Sequence, residues 1–186
     1  DAIVAEGFEA GGHNGVNETT TMCLIPEISQ SINIPVIAAG GIASGKSMLA
    51  ALSLGANGVQ IGSRFAVCKE SSSHKLYKNY IFSSREGDTQ LTLKELTPVR
   101  LLRNEFFYKI QKAYQDKLSI NDLKEILAKG RAKKGIFEGD LINGELEIGQ
   151  VSSMISKEQT AKQIIDEIIK EFNKQKLLIK SIKLNK

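Results

Sequence analysis

The residues of this sequence that could bind a ligand or take part in catalysis lie in three glycine-containing segments. The first, residues 7–15, is rich in glycine and contains His13. A histidine has an unperturbed pKa of about 6.5, so His13 could donate or accept a proton near neutral pH, or hydrogen-bond an anionic substrate. His13 is therefore the candidate catalytic residue. The alternative is an ordinary solvated side chain, which a lone loop histidine often is.

The other two segments are Gly40-Gly41 and Gly62-Ser63, and each follows an apolar run and precedes a helical pattern. Glycine leaves the backbone N–H groups uncovered, and the beginning of a helix carries a partial positive charge. Two such segments brought together would bind a phosphate dianion, with the Ser63 hydroxyl and Arg64 as further donors. The alternative is that these glycines only form tight turns.

Residues 40–47 also match the P-loop pattern G-x-x-x-x-G-K-S between a strand pattern and a helix pattern. A P-loop enzyme needs in addition an aspartate at the end of a neighbouring strand to hold magnesium. Here the neighbouring apolar run, residues 58–61, is followed by Gly-Ser-Arg. We therefore keep a P-loop nucleotide-binding module only as an alternative, and we expect Lys46 to be an exposed residue of a first helical turn.

Short apolar runs that alternate with helical patterns must position these segments. We predict strands and intervening helices, in chain order, at residues 2–6, 24–31, 34–39, 44–54 and 57–62. Pro26 is expected in the first turn of the first helix, and Ser44 is expected to be the N-cap of the second. Alternating strands and helices indicate parallel β/α units, whose ligands bind where the strands end.

The pattern after residue 74 changes to longer helices. They are predicted at residues 74–83, 104–117 and 120–129, and from a capping box at 156–159 to residue 174. His74 is expected on the surface, residues 133–150 as a loop, and residues 174–186 as a solvated basic tail. We therefore divide the chain into β/α units at residues 1–73 and a helical extension with a basic tail at residues 74–186.

Composition excludes several classes of protein. The 186 residues are 41% hydrophobic and 25% charged, which is typical of one packed globular domain. The net charge of +4 is spread along the chain, and no apolar run is long enough for a membrane helix, so we expect no nucleic-acid or membrane partner and a cytoplasmic location. Cys23 and Cys68 are far apart, which predicts neither a disulfide nor a metal site, and Cys68 is expected in the core.

The order of three motifs is more specific than any one of them. Residues 5–13 read A-E-G-F-E-A-G-G-H, residues 34–42 read I-P-V-I-A-A-G-G-I, and residues 59–65 read V-Q-I-G-S-R-F. In this order they resemble the nitronate monooxygenase family, formerly called 2-nitropropane dioxygenases. That family shares its fold and these motifs with the flavin-dependent type II enoyl-acyl-carrier-protein reductases. The similarity is strong over residues 2–70 and weaker beyond them.

The resemblance implies an α/β fold, a (β/α)8 TIM barrel with FMN on its C-terminal face. The three predicted strands would be the sixth, seventh and eighth of the barrel, followed by a helical extension. A (β/α)8 domain takes about 250 residues, so we expect this sequence to be the C-terminal part of a longer product. A natural half-barrel that dimerises is the alternative.

The resemblance also implies roles for particular residues. His13 matches the active-site histidine of the family, which acts on the nitro group as a base or a hydrogen-bond donor. Six residues would contact FMN, four of them at its phosphate and two beside the flavin or its ribityl chain. They are Gly40, Gly41, Gly62 and Ser63 for the phosphate, and Gly12 and Gln60 for the rest.

The activity implied by the resemblance is oxidation of an alkyl nitronate by dioxygen to a carbonyl compound and nitrite, with FMN as the cofactor. The alternative within the family is NADH- and FMN-dependent reduction of an enoyl thioester, which the sequence T-T-T-M at residues 19–22 favours. A fragment without catalytic activity is a further alternative. Whether the protein forms a homo-oligomer is left open.

Overall fold

The computed structural model describes residues 1–182, so residues 183–186 of the predicted tail lie outside the described residues. The strands are β1 Ile3–Glu6, β2 Gly12–His13, β3 Val36–Ala39, β4 Gly58–Val59, β5 Thr89–Thr92 and β6 Val99–Leu102. The helices are α1 Thr21–Ser31, α2 Gly45–Ser53, α3 Ser63–Ala66, α4 Lys75–Phe82, α5 Glu105–Gln115, α6 Ile120–Leu127, α7 Arg131–Ile136 and α8 Ala161–Lys180, with a 3-10 helix at Gln150–Met154. None of the helices within residues 1–182 has the length and apolarity needed to cross a membrane.

A parallel sheet of order β1-β3-β4 forms the first half of the chain. Ala5 pairs with Ala38, and Ala38 pairs in turn with Val59. Helices α1 and α2 connect the strands and cover the sheet with a core that includes the fully buried Ile25. The prediction of parallel β/α units is confirmed, and the shared direction of the strands brings the segments that follow β1, β3 and β4 to one edge of the sheet.

A second sheet, which the sequence analysis missed, has the antiparallel order β2-β6-β5. The prediction that only helices follow residue 74 is wrong, because residues 89–92 and 99–102 form a hairpin. Polar residues such as Arg100 interrupt these short runs and hide their strand character. His13 pairs with Val99 through β2, so the glycine-rich segment forms part of this sheet instead of a free loop.

The beginning of α1 differs from the prediction. The helix starts at Thr21, three residues before the predicted start, and Pro26 therefore lies inside the helix instead of in its first turn. The Glu9 carboxylate accepts hydrogen bonds from the backbone N–H and the hydroxyl of Thr21. A partner twelve residues away in sequence thus supplies the N-terminal acceptor that local sequence does not.

Caps account for the other differences at helix ends. The N-cap at Ser44 is confirmed, since its side chain and that of Ser47 form a capping box. The capping box predicted at residues 156–159 is wrong, because α8 begins four residues later with Thr160 and Gln163 as the box and then extends to Lys180. His74 is half-buried and caps α4, so its expected place on the surface is wrong as well.

The predicted loop at residues 133–150 is also wrong in part. Helix α7 includes residues 133–136, and the backbone from Glu145 to Gly149 lies along the edge of β6, where Leu102 donates its N–H to the carbonyl oxygen of Leu146 at 2.8 Å. Leu146 and Ile148 are buried, and Glu145 and Glu147 alternate with them along the segment. This extended segment brings two glutamates toward the glycine-rich segment.

Arg100 is the largest fully buried side chain, with 2% of its surface exposed. Its guanidinium donates to the carbonyl oxygens of Phe8 and Ala10, at 2.7 and 3.1 Å, and lies 4.9 Å from the centroid of the Phe8 ring. Burial lowers the pKa of this guanidinium, while the carboxylates of Glu9 and Glu18 act in the opposite direction. Arg100 therefore binds the glycine-rich segment to β6.

Replacing Arg100 by methionine should destabilise the fold, because the change removes charged hydrogen bonds to two carbonyl groups. We expect Arg100→Met to lower the free energy of unfolding by about 2–4 kcal/mol, measured by urea denaturation. The exposed neighbour provides the control, since Arg103→Met should cost less than about 0.5 kcal/mol. Equal stability of the two variants would contradict the role assigned to Arg100.

Candidate functional site

A cavity of about 420 Å³ opens at the C-terminal ends of β1, β3 and β4. Its volume is in the range of small-molecule and cofactor sites. Most of the lining comes from the segments that follow these strands, and the rest comes from residues 71–77 and 136–151. The residues of the parallel-sheet half that line it include Glu6, Glu9, Gly11, Gly40, Gly41, Ile42, Gln60, Gly62 and Ser63.

Four backbone N–H groups in this lining have no hydrogen-bond acceptor among residues 1–182. They belong to Gly41, Ile42, Gly62 and Ser63. Because two separate chain segments supply them to one cavity, they form a set of donors of the kind that binds a phosphate group. The Ser63 oxygen accepts the N–H of Gly149 at 3.1 Å, which leaves the Ser63 hydroxyl hydrogen available to a ligand.

Gly40 and Gly41 have positive φ angles of 85° and 68°, in the region that favours glycine. A Cβ atom at Gly40 would collide with the backbone carbonyl of Gly7 at the end of β1. At Gly62, in contrast, a Cβ atom would meet no atom within 4 Å. The glycines at 40 and 41 therefore allow the backbone turn itself, whereas Gly62 keeps open the space in front of the donors.

The beginning of α2 does not contribute donors to this cavity. The Gly45 N–H donates to a carboxylate oxygen of Glu171 in α8 at 2.7 Å, and the Ser44 N–H donates to the Ser47 hydroxyl. A phosphate in a P-loop would need these N–H groups, and Lys46 is exposed, as predicted. The geometry therefore argues against the P-loop and corrects the expectation that two helix N-termini converge on the anion.

Arg64 also points away from the cavity, which corrects its expected role as a phosphate donor. It is buried, and its guanidinium donates to the Ala43 carbonyl at 3.0 Å and to Gln159 at 2.7 Å. The same group forms an ion pair of 3.1 Å with Glu167. Arg64 thus binds α8 to the parallel-sheet half and is not available to a ligand.

The two carboxylates at the rim of the cavity have different environments. Glu9 is bound to Thr21 at the start of α1. Glu6 lies at the end of β1, and partial burial raises the pKa of its carboxyl group. Because Glu9 is held by Thr21, the two carboxylates are not arranged as an acid/base pair.

The structure separates the predicted site residues into two groups. Gly40, Gly41, Gln60, Gly62 and Ser63 line the cavity of 420 Å³ together. Gly12 and His13 do not line it. Gly12 is buried, and His13 is exposed and lines a second cavity of about 300 Å³. A contact of Gly12 with FMN and a catalytic role of His13 stay predictions.

Glu147 is the residue shared by the two cavities, and the sequence analysis missed it. Its carboxylate is half-buried and lies against Gly12, since a Cβ atom there would be 2.7 Å from Glu147 Oε2. Burial raises the pKa of Glu147, and the nearby His13 lowers it. The available signal was the alternation E-L-E-I at residues 145–148, which is typical of a strand.

Glu145, also missed, lines the second cavity only. Burial and the neighbouring charge of Glu147 raise its pKa to about 7, and Arg131 acts in the opposite direction. A carboxyl group with this pKa exchanges its proton in the physiological range. The second cavity therefore changes its charge near neutral pH.

Comparison with known proteins identifies the family. The family model described as "Nitronate monooxygenase" matches residues 1–171. A "Probable nitronate monooxygenase" from Staphylococcus saprophyticus is 35% identical over 184 residues, a match that covers 93% of this chain and 51% of the relative. The chain thus spans about half the length of the curated relatives that it matches along most of its sequence.

Two solved structures are similar along nearly the whole chain. FabK from Thermotoga maritima has 42% identity and a TM-score of 0.90, over 97% of this chain and 57% of FabK. A nitroalkane oxidase from Streptomyces ansochromogenes has 28% identity and a TM-score of 0.76, over 96% of this chain and 53% of that protein. Sequence and fold together place this chain in the nitronate monooxygenase family of oxidoreductases, related to the FabK reductases.

Proposed function

We propose that this chain forms the FMN phosphate site and part of the active site of a nitronate monooxygenase, which oxidises alkyl nitronates with dioxygen to carbonyl compounds and nitrite. The observation that carries the proposal is that the residues after β3 and β4 whose backbone N–H groups have no acceptor among residues 1–182 line one cavity in a member of this family. When bound, FMN would supply the transfer of electrons between the nitronate and dioxygen.

The residues in the lining fit the phosphate end of FMN. The N–H groups of Gly41, Ile42, Gly62 and Ser63 and the Ser63 hydroxyl would hold the phosphate. Gln60, at the end of β4, would offer its amide to the ribityl chain or the flavin ring. These donors are rigidly held, because the turn at Gly40 rests on the end of β1 and Ser63 is bonded to Gly149.

His13 would act on the substrate from the second cavity. Its backbone pairs with Val99, which fixes the position of its Cα atom and leaves the imidazole ring exposed to a ligand. From there the ring could hydrogen-bond the nitro group or take a proton from the carbon beside it. Glu147, which lies between this cavity and that of the proposed cofactor, would close the side nearest Gly12.

Reduction of an enoyl thioester with NADH is the second candidate. The similarity to FabK favours it, since FabK is 42% identical to this chain whereas the nitroalkane oxidase is 28% identical over a similar length. The curated relatives and the family model favour nitronate oxidation. Both activities require the same phosphate site, so the site itself does not distinguish them.

Gly62→Val should weaken FMN binding at least tenfold without affecting the fold. The backbone φ of −93° suits any residue, and a side chain at Gly62 would occupy open space in front of the donors. Loss of even one charge-assisted hydrogen bond corresponds to about a tenfold loss of affinity, and we expect the Kd of FMN to rise by at least that factor. The measurement is quenching of flavin fluorescence by the purified protein.

Gly15→Val is the matched control, because a Cβ atom there also meets nothing within 4 Å but the residue lies outside the cavity lining. Both variants should unfold at the same urea concentration as the wild type. Lys46→Ala should also bind FMN normally. Retention of FMN by Gly62→Val, or its loss in Lys46→Ala, would contradict the proposed site.

The reaction can be identified by the reductant that bleaches the flavin. We expect the protein, purified from its complete reading frame with FMN bound, to lose its oxidised flavin band when mixed anaerobically with propyl-2-nitronate. Dioxygen should then restore the band and release nitrite. Rapid bleaching by NADH, followed by reoxidation with crotonyl thioester, would instead establish the reductase.

His13→Ala should preserve FMN binding and slow turnover. A positioned acid or base contributes about 10²–10⁴-fold to the rate, so kcat/KM for the nitronate should fall within that range. The fold should be unaffected because His13 contributes only its backbone to β2. His74→Gln provides the comparison, since the only other histidine of the sequence caps α4 outside both cavities. Unchanged kcat/KM in His13→Ala would remove His13 from the mechanism.

A further inference from the structure

The second cavity combines apolar walls with an acidic wall. Its apolar lining comes from the β5–β6 hairpin and from the chain around the α6–α7 junction, and consists of Leu93, Leu96, Val99, Leu127, Ala128 and Ala132. The titratable or charged residues that line it are His13, Arg131, Glu145 and Glu147. A cavity of about 300 Å³ with these walls suits a small molecule with an apolar chain and one polar end.

The guanidinium of Arg131 is occupied mainly by hydrogen bonds within the protein. Its guanidinium nitrogens donate to the carbonyl oxygens of Leu127, Asn143 and Ile126 at 3.1, 3.0 and 3.0 Å. The group also stacks 5.0 Å above the Phe106 ring. Three of its five N–H groups are therefore bonded to backbone carbonyls, and its single positive charge offsets at most one of the two carboxylates.

Glu145 and Glu147 lie two residues apart in an extended segment, so their side chains share one face of it. Burial raises the pKa of each, and the charge of Glu147 adds to the effect on Glu145. Because the pKa of Glu145 is raised to about 7, its carboxyl is mainly protonated at pH 6 and mainly ionised at pH 8. An anion in the cavity would therefore meet more negative charge at the higher pH.

The position of Glu147 makes this charge relevant to chemistry at the cofactor. Its carboxylate lies against Gly12, next in sequence to His13, and it lines both cavities. A ligand that contacts His13 in the second cavity must therefore lie near this carboxylate. The same is true of a ligand that extends from the second cavity toward the cofactor cavity.

We propose that the second cavity receives the substrate and that Glu145 and Glu147 select it by charge. An uncharged head on an apolar chain binds equally well at any pH, whereas an anion binds several-fold more weakly once Glu145 is ionised. The inference rests on the proposed function in taking the molecule that reaches His13 to be the substrate. For an alkyl nitronate, which is an anion, the carboxylate pair sets an upper pH limit on binding. For an enoyl thioester it does not.

The test compares two unreactive probes of equal shape, hexanoate and hexanamide, by calorimetric titration of the FMN-loaded protein at pH 6 and pH 8. Hexanoate is an anion at both pH values and hexanamide is uncharged. We expect the Kd of hexanoate to rise about fivefold from pH 6 to pH 8, within the tenfold limit that a one-unit coupling between two charges sets. The Kd of hexanamide should stay constant.

Glu145→Gln should remove most of this pH dependence for hexanoate and leave the Kd of hexanamide unchanged. Glu147→Gln is the second variant, and it should weaken the dependence because the raised pKa of Glu145 relies partly on Glu147. Glu86→Gln is the control, since it removes the carboxylate of an exposed residue that lines neither cavity. It should keep the dependence of the wild type.

Equal pH dependence of the two probes, or a wild-type response in Glu145→Gln, would overturn the proposal, as would failure of both probes to bind. None of these measurements needs turnover. A protein that fails to oxidise nitronates but shows the expected binding would thus refute the proposed reaction and retain the charge selection. A protein that oxidises nitronates but does not show the expected binding would support the proposed reaction and refute the charge selection.

Discussion

The hydrogen bonds of the buried Arg100 guanidinium to the carbonyls of Phe8 and Ala10 determine how the two halves of the molecule meet. The glycine-rich segment after β1 has little conformational preference of its own, and a cation held in β6 gives its carbonyl groups a partner. Once residues 8–10 are held there, Glu9 reaches the start of α1 and His13 pairs with Val99. The positions of the cofactor cavity and of the candidate catalytic histidine follow from this one constraint.

A second constraint is the docking of α8 on the start of α2. Gly45 has no side chain, and the backbone of α8 near Ile168 and Phe172 lies where its Cβ atom would be. Glu171 then accepts the N–H of Gly45 and Arg64 pairs with Glu167, so the positive end of α2 is neutralised by the protein itself. The sequence therefore matches the P-loop pattern, but in the folded chain the start of α2 has no anion site. The donors that remain are those of the turns after β3 and β4, beside α2 and not at its end.

The two cavities offer different polar groups to a ligand, although carboxyl groups line both of them. The first presents uncompensated N–H donors, which favour an anion such as a phosphate. The second presents two carboxyl groups that burial makes hard to ionise, and its arginine is committed to backbone carbonyls. Glu147 separates the anion-binding side from the side that repels anions. Such an arrangement would give the cofactor and the substrate different binding groups on the two sides of Glu147.

The sequence by itself determined the parallel β/α units, the cap at Ser44, the buried Cys68 and the five residues that line the cofactor cavity, because these depend on short apolar runs, turns and caps within a few residues. The three motifs in order were also enough to recognise the family. Only the tertiary structure decided the second sheet, the start of α1 at Thr21 and the places of Gly12, His13, Glu145 and Glu147. Each of these depends on partners far away in sequence, such as Val99 for His13 and Glu9 for Thr21. Local patterns carry no information on which distant groups will meet. The raised pKa of Glu145 and Glu147 comes from burial, and these residues become buried only when distant segments pack against them.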